Sequence, residues 1–210
     1  MSRRVIAAVL LASGVGRHAS ADEPAAITTA SASNVNAPAD IKDQAIGAMI
    51  GVAGGGRTTP GGFLIAGHYY YQLTDQDWWD GSASFVFGGG DPECFRDRMN
   101  VVICDHDLAD GYAGKLGFAV RRFLPTLSSG TFWPFVRAGL GVGIERFSDD
   151  DTTGIAFLLL GGGGLRASVA EGIAVSAGAE LELGLATFSN GVGGEPQLGL
   201  NISAGVEFNL

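Results

Sequence analysis

From residue 45 to the C-terminus, apolar residues alternate with small or polar ones at a period of two. The last stretch is the clearest. Leu200, Ile202, Ala204, Val206, Phe208 and Leu210 fall on one face, and Gly199, Asn201, Ser203, Gly205, Glu207 and Asn209 on the other. A helix repeats every 3.6 residues, so strict alternation over this length predicts a strand. Ile173 to Leu185 behaves the same way, with Ser176, Gly178, Glu180, Glu182 and Gly184 opposite its apolar residues. Val136 to Ile144, Leu116 to Val120, Trp79 to Phe87 and Phe63 to Tyr71 alternate likewise. Ile155 to Val169 contains the apolar run Phe157 to Leu160, and Arg166 with Ser168 sets its parity. Ala45 to Ala53 is apolar on both faces. Gly, Pro, Asn or Asp turn signals bound these stretches, so eight strands are expected.

The second face decides which side meets water. A soluble barrel would carry Lys, Glu and Thr outside, whereas here that face is mostly Gly, Ala and Ser with single charges of both signs. Glycine weakens an open strand surface but suits a crowded lumen. The expected arrangement is therefore inside out, with apolar side chains toward lipid. Each stretch supplies the roughly 9 to 11 residues a membrane strand needs. Hydrocarbon offers the backbone no partners, so the sheet must close. The fold class that follows is all-β, a closed antiparallel eight-stranded up-and-down barrel with a side-chain-filled interior.

Connections around Leu73–Trp78, Leu124–Trp133 and Ala170–Gly172 are expected on the periplasmic side. The Gly54–Gly62, Gly88–Gly111, Ser148–Gly154 and Ser189–Gln197 loops are expected outside, which gives the usual asymmetry of short turns and longer loops. Trp78, Trp79, Tyr112, Phe123, Trp133, Phe147, Phe188 and Phe208 lie near strand ends and are expected to form interfacial girdles.

The first 21 residues have another purpose. Arg3 and Arg4, the apolar stretch Val5 to Val15 and the small-x-small sequence Ala19-Ser20-Ala21 appear in the order of a secretory signal peptide. Residues 22–44 are small, polar and proline-spotted, and read as a flexible periplasmic lead-in to a barrel spanning 45–210.

Composition agrees with this picture. The 210 residues are 46% hydrophobic and 17% charged, with 34 glycines, yet no window holds the 18 or more apolar residues of a membrane helix. Net charge is −9, and removal of Arg3, Arg4 and Arg17 from the 13 basic residues leaves 10 against 22 acidic ones, a charge of −12. Such a balance argues against nucleic-acid binding.

The chain from Ala45 to Leu210 resembles the eight-stranded outer-membrane barrels, which include the transmembrane domain of outer-membrane protein A and small porin-family proteins. Besides architecture, Ser203, Gly205, Phe208 and Leu210 are similar to the C-terminal assembly signal of that group, with Leu210 where Phe or Trp is usual. The resemblance implies the barrel assembly machinery as a partner, outer-membrane lipids and lipopolysaccharide as surroundings, and a monomer. The chain stops at Leu210, so the cell-wall-binding domain that follows some of these barrels is expected to be absent.

Candidate chemistry is sparse. Cys94 and Cys104 lie in the longest loop, and in an exported protein they are expected to form a disulfide. Asp105, His106 and Asp107 beside them lack metal-site spacing, so no metal is expected. Asp149, Asp150 and Asp151 form an acidic loop tip. His68 would point into the barrel toward Glu180 and Glu182, where a His with carboxylates could do acid–base work. The simpler reading is an interior ion network of His68, Lys115, Arg121, Arg137 and Arg166 with Asp80, Glu145, Glu180, Glu182 and Glu207. No cofactor is expected. The function anticipated is a non-enzymatic barrel with a structural, surface-interaction or narrow-pore role. A lipid-modifying enzyme and a secreted lipocalin-like binding barrel are the alternatives.

Overall fold

The computed structural model describes residues 43–55, 59–88, 93–96, 102–105, 111–147, 152–189 and 193–210. The signal peptide, nearly all of the lead-in, the 149–151 loop tip and residues 106 and 107 lie outside the described residues.

Among the described residues ten strands follow one another: β1 (Gln44–Gly55), β2 (Gly62–Gln72), β3 (Asp77–Phe87), β4 (Glu93–Arg96), β5 (Val102–Asp105), β6 (Gly111–Phe123), β7 (Phe132–Phe147), β8 (Thr152–Ala170), β9 (Ile173–Phe188) and β10 (Gly193–Asn209). Eight of them close into an antiparallel up-and-down barrel in the order β1-β10-β9-β8-β7-β6-β3-β2. The seam between first and last strands runs from Ala45 opposite Asn209 to Gly55 opposite Gly199. Gly205 sits on this seam because a Cβ there would lie 2.0 Å from the Ala48 carbonyl oxygen. β10 continues beyond the seam and pairs with β9 as far as Gly193 opposite Phe188.

Alternation holds around the ring. Ile50, Phe85, Leu116, Leu140, Phe157, Leu185 and Ile202 are exposed on the outer wall, while Met49, Val86, Lys115, Arg137, Leu158, Glu182 and Asn201 are buried inside. A lipocalin-like barrel needs the opposite, an apolar face turned inward, so that alternative fails on geometry. The parity set by Arg166 is also what places Leu158 and Leu160 in the lumen and Phe157 and Leu159 outside.

Five of the eight aromatics expected in the girdles do not belong there. Trp78, Phe123, Phe147 and Phe188 are buried in the lumen and Trp133 packs against the inward cluster, whereas Tyr112 and Phe208 are exposed on the outer wall. The reason is parity: Phe147 is two residues from buried Glu145, and Phe123 two from buried Arg121, so each shares its neighbour's inward face. The inward aromatics collect near the two ends of the barrel. Phe147 and Phe188 pack with Ala156, Leu158, Leu160 and Ala186 at the loop end. Trp78 and Phe123 pack with Ala45, Tyr70 and Phe135 at the turn end.

Connections at the turn end are locally determined. The Thr74 hydroxyl accepts hydrogen bonds from the Gln76 and Asp77 amides at 3.3 and 3.0 Å, which shapes the β2–β3 turn. A short 3₁₀ turn at Pro125–Leu127 fills the β6–β7 connection, and the Trp133 indole N–H donates to the Gly130 carbonyl at 2.9 Å. The longest loop carries its own hairpin, β4 with β5, separate from the barrel. β10 begins earlier than its turn-like residues Gly193, Gly194 and Pro196 suggest, because pairing with β9 outweighs local preference.

Two glycines test the strand geometry. Gly62 opens β2 at φ +126°, and a Cβ there would lie 2.4 Å from the Phe87 carbonyl oxygen; a Cβ on Gly67 would meet nothing within 4 Å. Gly62→Ala is expected to lower unfolding free energy in lipid vesicles by about 1–3 kcal/mol. Gly67→Ala is expected to stay within about 0.5 kcal/mol of the parent. Urea titration followed by tryptophan fluorescence measures both, and equal effects would contradict the described backbone.

Candidate functional site

The lumen is where this sequence concentrates its unusual chemistry. Inward positions of six strands carry charged side chains, which form three clusters stacked along the barrel axis.

The cluster nearest the turns has one acid between two bases. Arg121 Nη2 donates to Glu207 Oε1 at 2.7 Å, and Arg166 Nε donates to Glu207 Oε2 at 3.0 Å. All three side chains are buried. The Arg121 guanidinium is also held between rings, its Cζ 4.3 Å from the Tyr70 centroid and 4.0 Å from that of Phe135. A weakly hydrated planar cation is the group best suited to such a place.

The middle cluster alternates in sign. His68 Nδ1 lies 2.8 Å from Asp80 Oδ1, and Arg137 Nε donates to Asp80 Oδ2 at 2.7 Å. Arg137 also donates to Glu180 through Nη1 and to the Ser82 hydroxyl through Nη2 at 3.0 Å. His68 therefore reaches Asp80 directly, and Glu180 joins the same chain through Arg137. The imidazole stacks on Tyr70 with centroids 5.5 Å apart.

The cluster nearest the loops has one base among acids. Lys115 Nζ donates to Glu182 Oε2 at 2.5 Å, and Asn201 Nδ2 donates to Glu182 Oε1 at 2.8 Å. Glu145 is fully buried on the same side, and neither carboxylate oxygen has a hydrogen-bond partner among the described residues. Above it, the Thr59 hydroxyl donates to Gln197 Oε1, and Thr59 and Gln197 are both buried.

Seen along the axis, surplus guanidinium lies at the turn end and surplus carboxylate at the loop end. Between them is a cavity of about 80 Å³, lined in part by His68, Tyr70, Asp80, Arg121, Glu180 and Asn201. Tyr70 Oη, Arg121 Nε and Asn201 Oδ1 have no protein partner among the described residues, and the space suits several water molecules. It is far smaller than the roughly 300–1,000 Å³ of a ligand pocket. The His68–Asp80 pair resembles the orienting half of a hydrolytic triad, and Ser82 stands opposite His68 in the β2–β3 register. Its hydroxyl, however, is engaged by Arg137, and the chamber is too small to admit an acyl chain.

The remaining expected residues lie apart from this network. Ser203 and Gly205 face inward along the seam, while Phe208 and Leu210 are exposed on the outside, at 43% and 56%. The β4–β5 register sets Cys94 opposite Cys104. The inward apolar layers escaped the sequence reading, although the parity of Trp78 with Asp80, and of Phe147 with Glu145, carried the signal.

Glu207→Ala would leave Arg121 and Arg166 buried without their counter-ion. It is expected to cost about 3–5 kcal/mol of unfolding free energy in vesicles. Asp77→Asn, at the exposed rim pair with Arg122, is expected to change stability far less. Comparable losses for the two variants would contradict the buried network. The expected Cys94–Cys104 disulfide predicts that a maleimide reagent labels the denatured protein only after reduction; labelling without reductant would overturn it.

No protein-family model matches the chain, and no curated protein matches it in sequence. Among solved structures, Neisserial surface protein A is similar, with a TM-score of 0.59 and 14% identity over 80% of this chain and 98% of that one. Ail, the attachment invasion locus protein of Yersinia pestis, matches at a TM-score of 0.40 and 15% identity over 79% of this chain and 96% of its own. The chain has the fold of the eight-stranded outer-membrane barrels.

Proposed function

We propose that the protein is an integral barrel of the bacterial outer membrane, non-enzymatic and non-conducting, which holds its extracellular loops at the cell surface for structural or interaction roles. The observation that carries this reading is the cross-section of the lumen. Salt-bridged layers fill its middle, and aromatic and aliphatic layers lie above and below them. Trp78, Phe123, Val86, Ala113 and Glu145 are at most 1% exposed, so water scarcely reaches them. A steady ion path would need these layers to part. The narrow-pore variant is therefore the weaker form of the reading.

The exposed wall supports the membrane assignment. Ile50, Leu140, Phe157, Leu185 and Ile202 are each more than half exposed and lie on strands that close without an edge. In water such a belt would aggregate; in a bilayer it is the solvent-matched surface. The barrel assembly machinery is the partner this reading requires during biogenesis. Lipopolysaccharide is the expected neighbour in the outer leaflet, and the protein functions as a monomer.

Planar-bilayer recording on the purified protein tests the closed lumen. The expected trace is flat, and persistent porin-like currents would overturn it. Leu140→Arg, at mid-belt, is expected to cost about 2–4 kcal/mol of folding free energy in vesicles. Recovery of the intact protein in the aqueous fraction without detergent would overturn the membrane assignment itself.

A further inference from the structure

We propose that the outer wall at the turn end binds one amine-bearing zwitterionic phospholipid. Its acyl chain would lie in a groove across β6 and β7, and its headgroup on the Arg122–Asp77 pair. This rests on the membrane-spanning reading above and adds a specific ligand to it.

The groove has a volume of about 430 Å³ and is lined by Val120, Val136, Ala138 and Leu73, with Arg122 and Asp77 among its polar residues. Register explains its position. Asp77 on β3 faces Arg122 on β6, Arg122 faces Val136 on β7, and Val120 faces Ala138. All lie on the outward parity. Ala138 is in turn opposite Gly161 of β8, where a Cβ would meet nothing within 4 Å. The wall is thus recessed at the outward positions Val120, Val136 and Ala138 next to the turn. A depression of this kind in an apolar wall gives the first methylenes of an acyl chain close van der Waals contact.

The polar end selects the headgroup. Arg122 Nε donates to Asp77 Oδ1 at 2.6 Å and Nη2 to Asp77 Oδ2 at 2.8 Å. A guanidinium has five N–H groups, so three remain for a phosphate oxygen. The side chain is 58% exposed, which leaves those donors accessible. Asp77 accepts from Arg122 and from the Thr74 hydroxyl, and its carboxylate retains acceptor capacity for an ammonium group. A lone cation would favour any anionic lipid. A paired cation and anion side by side instead match a headgroup that carries phosphate and ammonium together, and Asp77 opposes one that is anionic overall. Trp79, opposite Val120 on the same wall, marks the interfacial depth at which a headgroup sits.

Native mass spectrometry of the full chain in detergent tests this, with equal amounts of phosphatidylethanolamine and phosphatidylglycerol added. The expected result is a roughly tenfold preference for the ethanolamine lipid at a stoichiometry of one, the factor that a single charge-assisted contact provides. Ala138→Phe, which fills the groove, and Arg122→Gln should both lose the bound lipid. Asp77→Asn should shift the preference toward phosphatidylglycerol. Equal retention of the two lipids, a preference of the unaltered protein for phosphatidylglycerol, or full retention by Ala138→Phe would each overturn the proposal. Heat-modifiable migration after insertion into vesicles is read on the same samples. Failure to insert would count against the membrane reading, whereas insertion without lipid selectivity would count against the groove alone.

Discussion

In hydrocarbon an unpaired backbone N–H or C=O costs several kcal/mol, and closing the ring between β1 and β10 removes every such edge from the barrel wall that the seam covers. The same closure limits the interior to what side chains alone can fill. Once eight strands are joined, each inward residue must fit against residues from across the ring, and each inward charge must find its partner there. Gly205 at the seam shows the constraint, since the neighbouring Ala48 carbonyl occupies the space a side chain would need.

Most of the interior ion pairs are made across the barrel rather than between neighbouring strands. Lys115 reaches Glu182 over 67 residues of chain, and Arg121 reaches Glu207 over 86. These contacts tie strands that do not touch through the backbone ladder, so the network cross-braces the cylinder. A buried ion pair is weak evidence for net stability, because desolvation offsets much of the attraction. Its effect here is on specificity: any slip of one strand by one residue would turn charges onto the apolar outer wall and leave others unpaired inside.

Much of this was legible in the sequence because period two is the same signal whether a strand faces water or lipid. Small and charged residues sharing one parity identified the lumen, and Arg166 settled β8 despite the run from Phe157 to Leu160. What the sequence did not convey was choice among partners. His68 meets Asp80 because β2 and β3 are neighbours, yet Arg137 on β7 reaches the same carboxylate from across the lumen. The early start of β10 was hidden by Gly193, Gly194 and Pro196, whose local preferences favour a turn. For aromatics near strand ends, parity rather than position along the strand decides whether the ring faces the lumen or the outer wall.

The upper part of β10, beyond the last pair with β1, has a further consequence. Asn209 donates its amide to Gly172 on the β9 side, and Leu210 donates to Gln44 on the β1 side, so even-numbered residues aim their backbone toward β1. Above Gly199 those residues are Gly194, Pro196 and Leu198, and proline has no N–H to give. A strand from another molecule approaching this rim would find the central rung of its ladder missing. Proline at this position leaves one rung fewer for edge-to-edge pairing along the part of β10 that extends past β1.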